Sequence, residues 1–202
     1  MEQQWRDFWN ERYAQDGAFF GEAPLAFLKD AISLFPPQGK ILLPADGDGR
    51  NGVFLARQGF DVHSFDGSTA GVQKALAAAQ HYGVTLQADV SGVEEFDFKT
   101  GHYDGVVVSY FHLMPDLRHD IHAKYVACLK PGGLLLLEGF RKEQLEYASG
   151  GPQEAEMLFS EETLRADFGM LDILRLEESV ETLNSGRHQG EGALIRLIAR
   201  KS

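Results

Sequence analysis

From Lys40 onward the chain alternates short, almost purely apolar runs with helical stretches, and few folds can accommodate that rhythm. Ile41 to Leu43, Asp61 to Phe65, Val84 to Ala88, Tyr103 to Tyr110 and Leu134 to Leu137 read as strands. Between them, Asn51 to Gln58, Thr69 to Tyr82 and Asp116 to Leu129 read as helices, with Gly59 and Gly83 just past two of their ends. A strand that is apolar at every position has no wet face, so these strands predict an α/β fold with a mostly parallel sheet covered by helices on both faces. The tail departs from the rhythm. Ser160 followed by Glu161 and Glu162 predicts a helix start, with the hydroxyl as cap. Met170 to Leu183 and Ala193 to Arg200 flank a turn signal at Asn184-Ser185-Gly186, which predicts a C-terminal antiparallel hairpin.

The first 39 residues read as a helical preface. Trp5, Phe8, Trp9 and Tyr13 recur at helical spacing, and core packing is the simplest reading for Trp5 and Phe8. A second helix is predicted from Pro24 through Leu25, Phe27, Leu28 and Ile32, stopped by Pro36-Pro37. No repeat or linker interrupts the 202 residues, so a single domain is expected: a preface at 1–39, a ligand-binding core at 40–140 and a closing segment at 141–202.

Composition narrows the partners. A formal net charge of -11 disfavours nucleic acid or an anionic membrane surface as the main partner. The N-terminal residues lack the basic and apolar regions of a signal peptide, and no apolar run approaches the ~20 residues that span a bilayer. The single cysteine, Cys128, permits no internal disulfide and reads as a packed core thiol in a reducing compartment. A cytoplasmic protein is expected. The seven histidines are scattered without metal-ligand spacing, so no metal is expected, and His119 and His122 are assigned to a solvated helix face.

The chemistry concentrates where strands end. Ile41-Leu42-Leu43-Pro44-Ala45-Asp46-Gly47-Asp48-Gly49-Arg50-Asn51 runs from a strand through a small-residue loop into a helix. Gly47 and Gly49 let backbone approach a ligand at the carboxyl end of the sheet. Asp66 ends the second strand about 20 residues after that loop, where a carboxylate can accept both hydroxyls of an adenosine ribose; a capping role is the plain alternative, one that Ser68 beside Gly67 could equally fill. Asp89 and Val90 follow the third strand, placed to meet an adenine amino group and ring edge, or simply to occupy a loop. Ser109 and Tyr110 end the fourth strand and lead to His112, which can serve as an acid or base or as a satisfied core histidine.

In their joint order, these elements resemble the class I S-adenosylmethionine-dependent methyltransferases, and the Lys130-Pro131-Gly132-Gly133 turn before an apolar strand is typical of them. More narrowly, the chain resembles the small bacterial tellurite-resistance-type and thiopurine-methyltransferase-like enzymes. The matching residues run from Arg12-Tyr13, Phe20-Gly21, Pro24 and Phe27-Leu28 through Gly47 to Asn51, Asp66 and Leu129 to Gly133. They continue through Glu138-Gly139-Phe140, Gly150-Gly151-Pro152 and His188-Gln189-Gly190. The resemblance implies a Rossmann-like doubly wound sheet of seven strands. It also implies S-adenosyl-L-methionine as cofactor and S-adenosyl-L-homocysteine as product, with a small-molecule acceptor, either a soft thiol or a metalloid. It further implies an N-terminal helix folded over the cofactor through Trp9, Tyr13 or Phe19, with Arg50 neutralising the cofactor carboxylate or pairing with that helix. The acceptor would be walled by Glu138 to Gly151, the loop near His188, and Tyr147, Met157 and Phe159. For an acceptor that must lose a proton, His112, Glu138 and His188 are the candidate bases.

Leu43 and Ala45 depart from the family pattern, which usually has an acid and a glycine there. Two other readings therefore stand beside this one: a nicotinamide-dependent oxidoreductase, whose Gly pattern lacks its third member in register, and a non-catalytic module that binds an adenosyl ligand or a partner. A monomer or homodimer is compatible with all three.

Overall fold

The computed structural model describes residues 2–202. They fall into two compact units, one ending at Asp97 and the other spanning Phe98–Ser202.

The first unit opens with α1 (Glu2–Tyr13) and α2 (Ala26–Ala31), the latter running into a short 3-10 turn at Ile32–Leu34. Then β1 (Lys40–Pro44), α3 (Arg50–Arg57), β2 (Asp61–Asp66), α4 (Thr69–His81) and β3 (Gln87–Val90) alternate. β1 pairs parallel with β2, and β2 with β3. Ile41, Leu42 and Leu43 are all fully buried, as a strand covered on both faces requires. α2 begins two residues later than the sequence predicts because the Leu25 N–H is bound by the Asn51 side chain at 3.0 Å. That bond holds Leu25 in an extended conformation. β3 also starts later than predicted, since Val84 N–H closes the end of α4 on Ala79 O. Trp5 and Phe8 are not core residues: they are 48% and 40% exposed and pack edge-to-face on each other.

The second unit contains β4 (Tyr103–Ser109), α5 (Pro115–Cys128), β5 (Leu129–Phe140), a 3-10 turn at Lys142–Glu146, α6 (Glu161–Phe168), β6 (Asp172–Ser185) and β7 (His188–Arg200). β4 and β5 are parallel, whereas β7 is antiparallel to both β5 and β6. β5 is much longer than the predicted Leu134 to Leu137. Gly132 takes φ 79 inside it and donates to Lys201 O, and Lys201 N–H donates back to Gly133 O. The hairpin is present, but its turn is Gly186-Arg187, and Ser185 pairs with His188. β7 therefore begins five residues before the predicted Ala193.

Two side-chain assignments on α5 resolve here. Cys128 is buried with its Sγ on Tyr125 O at 3.2 Å, and burial pushes its thiol up to about 12. His119 is exposed as predicted, but His122 is only 1% exposed and lies 2.8 Å from Asp167 Oδ2. The predicted solvated face fails at His122 because α6 brings Asp167 against that side of α5. No helix is long and apolar enough to cross a membrane, and no cluster of three metal-ligating side chains occurs among the described residues.

Candidate active site

In the first unit, the loop between β1 and α3 is built from conformations that most side chains avoid. Ala45, Gly47 and Gly49 have φ of 51°, 60° and 84°. Glycine accepts such angles freely, whereas alanine pays about 1 kcal/mol or more. Gly49 must also lack a side chain for space, since a β-carbon there would sit 2.5 Å from Ala75 Cβ.

Asp66 fastens this loop. One carboxylate oxygen accepts from Gly47 N–H at 2.9 Å, and the other from Ser68 N–H at 2.7 Å. Each oxygen keeps acceptor capacity for one further donor, which suits a vicinal diol. Burial raises the Asp66 carboxyl to about 6 against the pull of those two amides. Ser68 caps α4 by accepting from Gly71 N–H, so the capping job falls to Ser68. A β-carbon at Gly67 would meet nothing nearer than Arg6 Cγ at 3.6 Å. Asp46 Oδ2 accepts from Gly52 N–H, while its Oδ1 is buried without a hydrogen-bond partner. Burial drives the Asp46 carboxyl well above the usual range.

The N-terminal segment is seated on this loop. Tyr13 is buried, its hydroxyl against Gly47, and its phenol is raised above its ordinary value by burial and by Asp66, Asp48 and Asp46. Its ring stacks on Trp9 at 5.7 Å and meets Phe19 at 6.0 Å. Asn10 Oδ1 accepts from Ser68 Oγ and Ala70 N–H at the start of α4. Asp48 Oδ2 accepts from Phe19 N–H at 3.0 Å, Arg50 Nη1 donates to Phe20 O at 2.8 Å, and Lys74 Nζ donates to Gln15 O and Gly17 O. Of the two roles open to Arg50, the structure displays the tie to the N-terminal segment; Asn51, expected at the ligand, makes a second such tie. No sequence pattern marks Asn10 or Lys74, whose significance lies in the chain they reach. Asp89 Oδ2 lies 2.7 Å from His63 Nε2 and also accepts from Gln87 Nε2, while Val90 is 49% exposed.

In the second unit, Ser109 ends β4, and Tyr110 follows at φ 50, an uncommon angle for a bulky residue. Its ring contacts Phe140 at 4.8 Å and His188 at 5.0 Å. His112 is buried with both nitrogens engaged: Nε2 accepts from Phe140 N–H at 3.2 Å, and Nδ1 faces Met157 O at 3.2 Å. The amide fixes Nε2 as the acceptor, so Nδ1 carries the proton. Burial lowers His112 to about 4, which keeps it neutral. Glu138 is buried and bound to Arg196 Nε at 2.6 Å, while Arg196 also grips Glu181 with two nitrogens. Phe159 is fully buried against His112 and Gly139, a core residue more than a wall, and Met157 is buried beside it.

Comparison with known proteins agrees with this geometry. Residues 41–133 match the model of a methyltransferase domain. A curated relative, Hemagglutinin 1 of Eikenella corrodens, is 26% identical over 177 residues, 85% of this chain; the chain spans 56% of that protein's length. A solved structure for the conversion of a disulfide bond into a thioacetal group during echinomycin biosynthesis superposes with a TM-score of 0.77 and 16% identity, covering 98% of this chain and 92% of that one. TehB from Haemophilus influenzae gives 0.72 and 18%, over 98% of this chain and 67% of its own. An S-adenosylmethionine-dependent methyltransferase from Methanosarcina mazei gives 0.71 and 20%, over 88% and 98%. These likenesses show the fold: Rossmann-like, with a seven-stranded mixed sheet that ends in an antiparallel hairpin.

Proposed function

We propose, for a chain whose residues 41–133 match the model of a methyltransferase domain, that it transfers a methyl group from S-adenosylmethionine to a small-molecule acceptor bearing a soft nucleophile, a thiol or a metalloid. The observation that carries the cofactor assignment is Asp66, whose two buried oxygens are each pinned by one backbone amide yet can each accept one hydroxyl more. The Ala45 to Gly49 loop would run beside the methionine end, and Asp46 Oδ1, buried without a partner, supplies an acceptor for its ammonium. Ser68, Gly67, Asp89 and Val90 would border the adenosine. Tyr13 and the segment tied by Asp48, Arg50, Asn51 and Lys74 form the cover that excludes water.

Bound S-adenosylmethionine supplies a methyl group already activated on a sulfonium, so the protein's task is alignment more than proton transfer. The soft-acceptor reading rests on the state of two of the three candidate bases, His112 and Glu138. His112 spends both nitrogens on backbone groups, and Glu138 is neutralised by Arg196. A thiol that ionises on its own needs neither. Likeness to a structure concerned with sulfur chemistry supports the same choice, and the tellurite-resistance-type resemblance of the sequence extends it to metalloids.

Calorimetric titration with S-adenosylmethionine, S-adenosylhomocysteine and NAD tests the cofactor directly. Micromolar binding of the adenosyl compounds (about -8 kcal/mol), lost in Asp66→Ala and absent for NAD, is the expected result. Tight NAD binding would overturn it in favour of an oxidoreductase.

A further inference from the structure

Gln144 lies in the 3-10 turn after β5, between the Glu138-Gly139-Phe140 and Gly150-Gly151-Pro152 motifs, and it is 2% exposed with both ends of its amide engaged. Its Oε1 accepts from Ala193 N–H of β7 at 2.8 Å. Its Nε2 donates to Ser149 Oγ and to Gly150 O, both at 2.9 Å. One side chain therefore ties the closing strand to a turn that has no regular structure of its own. That turn is shaped for contact. Gly150 and Gly151 have φ of 112° and 95°, where only glycine is at ease. A β-carbon on Gly150 would come 2.8 Å from His188 Cδ2, and one on Gly151 would come 2.8 Å from Phe140 Cδ2. Bare backbone is thus laid on two rings. The His188 ring meets Tyr110 at 5.0 Å and Phe140 at 5.2 Å on its other sides.

We infer that Gln144 is a positioning residue for the acceptor: through the Ser149 to Gly151 turn it fixes the ring of His188, and through that ring the wall formed with Tyr110. The inference rests on the methyltransferase reading for its use of the word acceptor, but the linkage from Gln144 to His188 is a property of this unit alone. Glutamine suits the post because its amide offers an acceptor to β7 and two donors to the turn. Glutamate would keep the bond to Ala193, can accept from the Ser149 hydroxyl and sets an oxygen against Gly150 O, so Gln144→Glu breaks the Gly150 arm of the bridge at nearly constant shape. Ser149→Ala removes a single arm and provides a milder second variant.

The test uses the full chain. In Gln144→Glu, the carbon-bound imidazole resonances of His188, assigned with His188→Gln, are expected to shift and broaden, and in Ser149→Ala to shift less. S-adenosylhomocysteine affinity should stay within twofold of wild type in both. With thiophenol as the acceptor probe, KM should rise five- to tenfold in Gln144→Glu while kcat changes less than twofold. His188 resonances that overlay those of wild type in a folded Gln144→Glu would overturn the inference, as would an equal fall in kcat with KM unchanged. Failure of the wild type to bind either adenosyl compound would sink the methyltransferase reading instead, leaving the resonance comparison to decide the linkage. If Gln144→Glu does not fold, the same resonances in Ser149→Ala decide it: a shift supports the linkage and an unchanged His188 rejects it.

Discussion

The hydroxyl of Tyr13 rests directly on Gly47, so closely that a β-carbon at Gly47 would overlap it. The N-terminal segment and the strand–loop–helix turn are therefore fitted to each other at the position of one missing methyl group. Gly47→Ala is expected to unseat Tyr13 and, because φ there is 60°, to cost about 1–2 kcal/mol of stability. Trp9, stacked on Tyr13, reports the event: its emission should shift and S-adenosylhomocysteine affinity should fall at least tenfold. Unchanged emission and affinity would mean that the contact has no bearing on the ligand.

Asp66 makes ligand affinity depend on pH. Its folded value is about 6, above the roughly 3.9 of an unfolded chain. Only the ionised carboxylate can accept from two hydroxyls, so affinity should be flat above neutrality and fall by up to about tenfold per unit as pH drops below 6. Stability moves the other way. The stabilising contribution of the protonated group is complete below the unfolded value and is lost as pH rises through 6. Asp66→Asn should flatten both profiles, weaken binding by about 100-fold and, because its amide nitrogen cannot accept from one of the two loop N–H groups, lower the melting temperature at pH 7.

His112 is predicted to matter for folding more than for proton transfer. His112→Leu removes two backbone hydrogen bonds and should cost about 1–3 kcal/mol, with kcat toward a thiol falling less than tenfold. A loss near 10⁴-fold in a folded variant would instead make it a base.

Asp167 governs acid stability in the second unit. Burial opposes its ionisation, but hydrogen bonds from His122, His119 and Arg118 outweigh that and hold it at about 2. A depressed carboxyl stabilises the fold above its unfolded value near 3.9, and that contribution disappears as pH falls toward 2. Asp167→Asn should lower stability at pH 7 and remove the part of the acid transition lying between about pH 4 and pH 2, which urea titrations at stepped pH would reveal.

Much of this was legible before any coordinates. Fully apolar runs such as Ile41 to Leu43 have one stable environment, and Ser160 before two acids announces α6, so strands and helices fell near their predicted places. Asp66 and the glycine loop could be picked out because local chemistry constrains them. Long-range pairing was not legible. β5 outran its predicted span because Gly132 and Gly133 exchange backbone bonds with Lys201, a match that no local window contains, and β7 starts early because His188 to Gly192 pair with Ser185 to Glu181 of β6. His122 looked solvated because its partner Asp167 is 45 residues away. Gln144 left no trace because a buried amide is specified by what it bridges. Ala45 departs from the family pattern, and the structure gives its physical meaning: the loop needs a left-handed residue there whether or not glycine supplies it.

Four of the side chains that seat the N-terminal segment share one property. Asp48, Arg50, Asn51 and Lys74 all reach peptide groups, at Phe19, Phe20, Leu25, Gln15 and Gly17, and Arg50 adds a cation–π contact at 5.8 Å from the Phe20 ring. A grip on main chain is indifferent to sequence. Positions of the segment other than Asn10, Tyr13 and Phe20 can thus be exchanged in the course of evolution while these main-chain bonds stay in place.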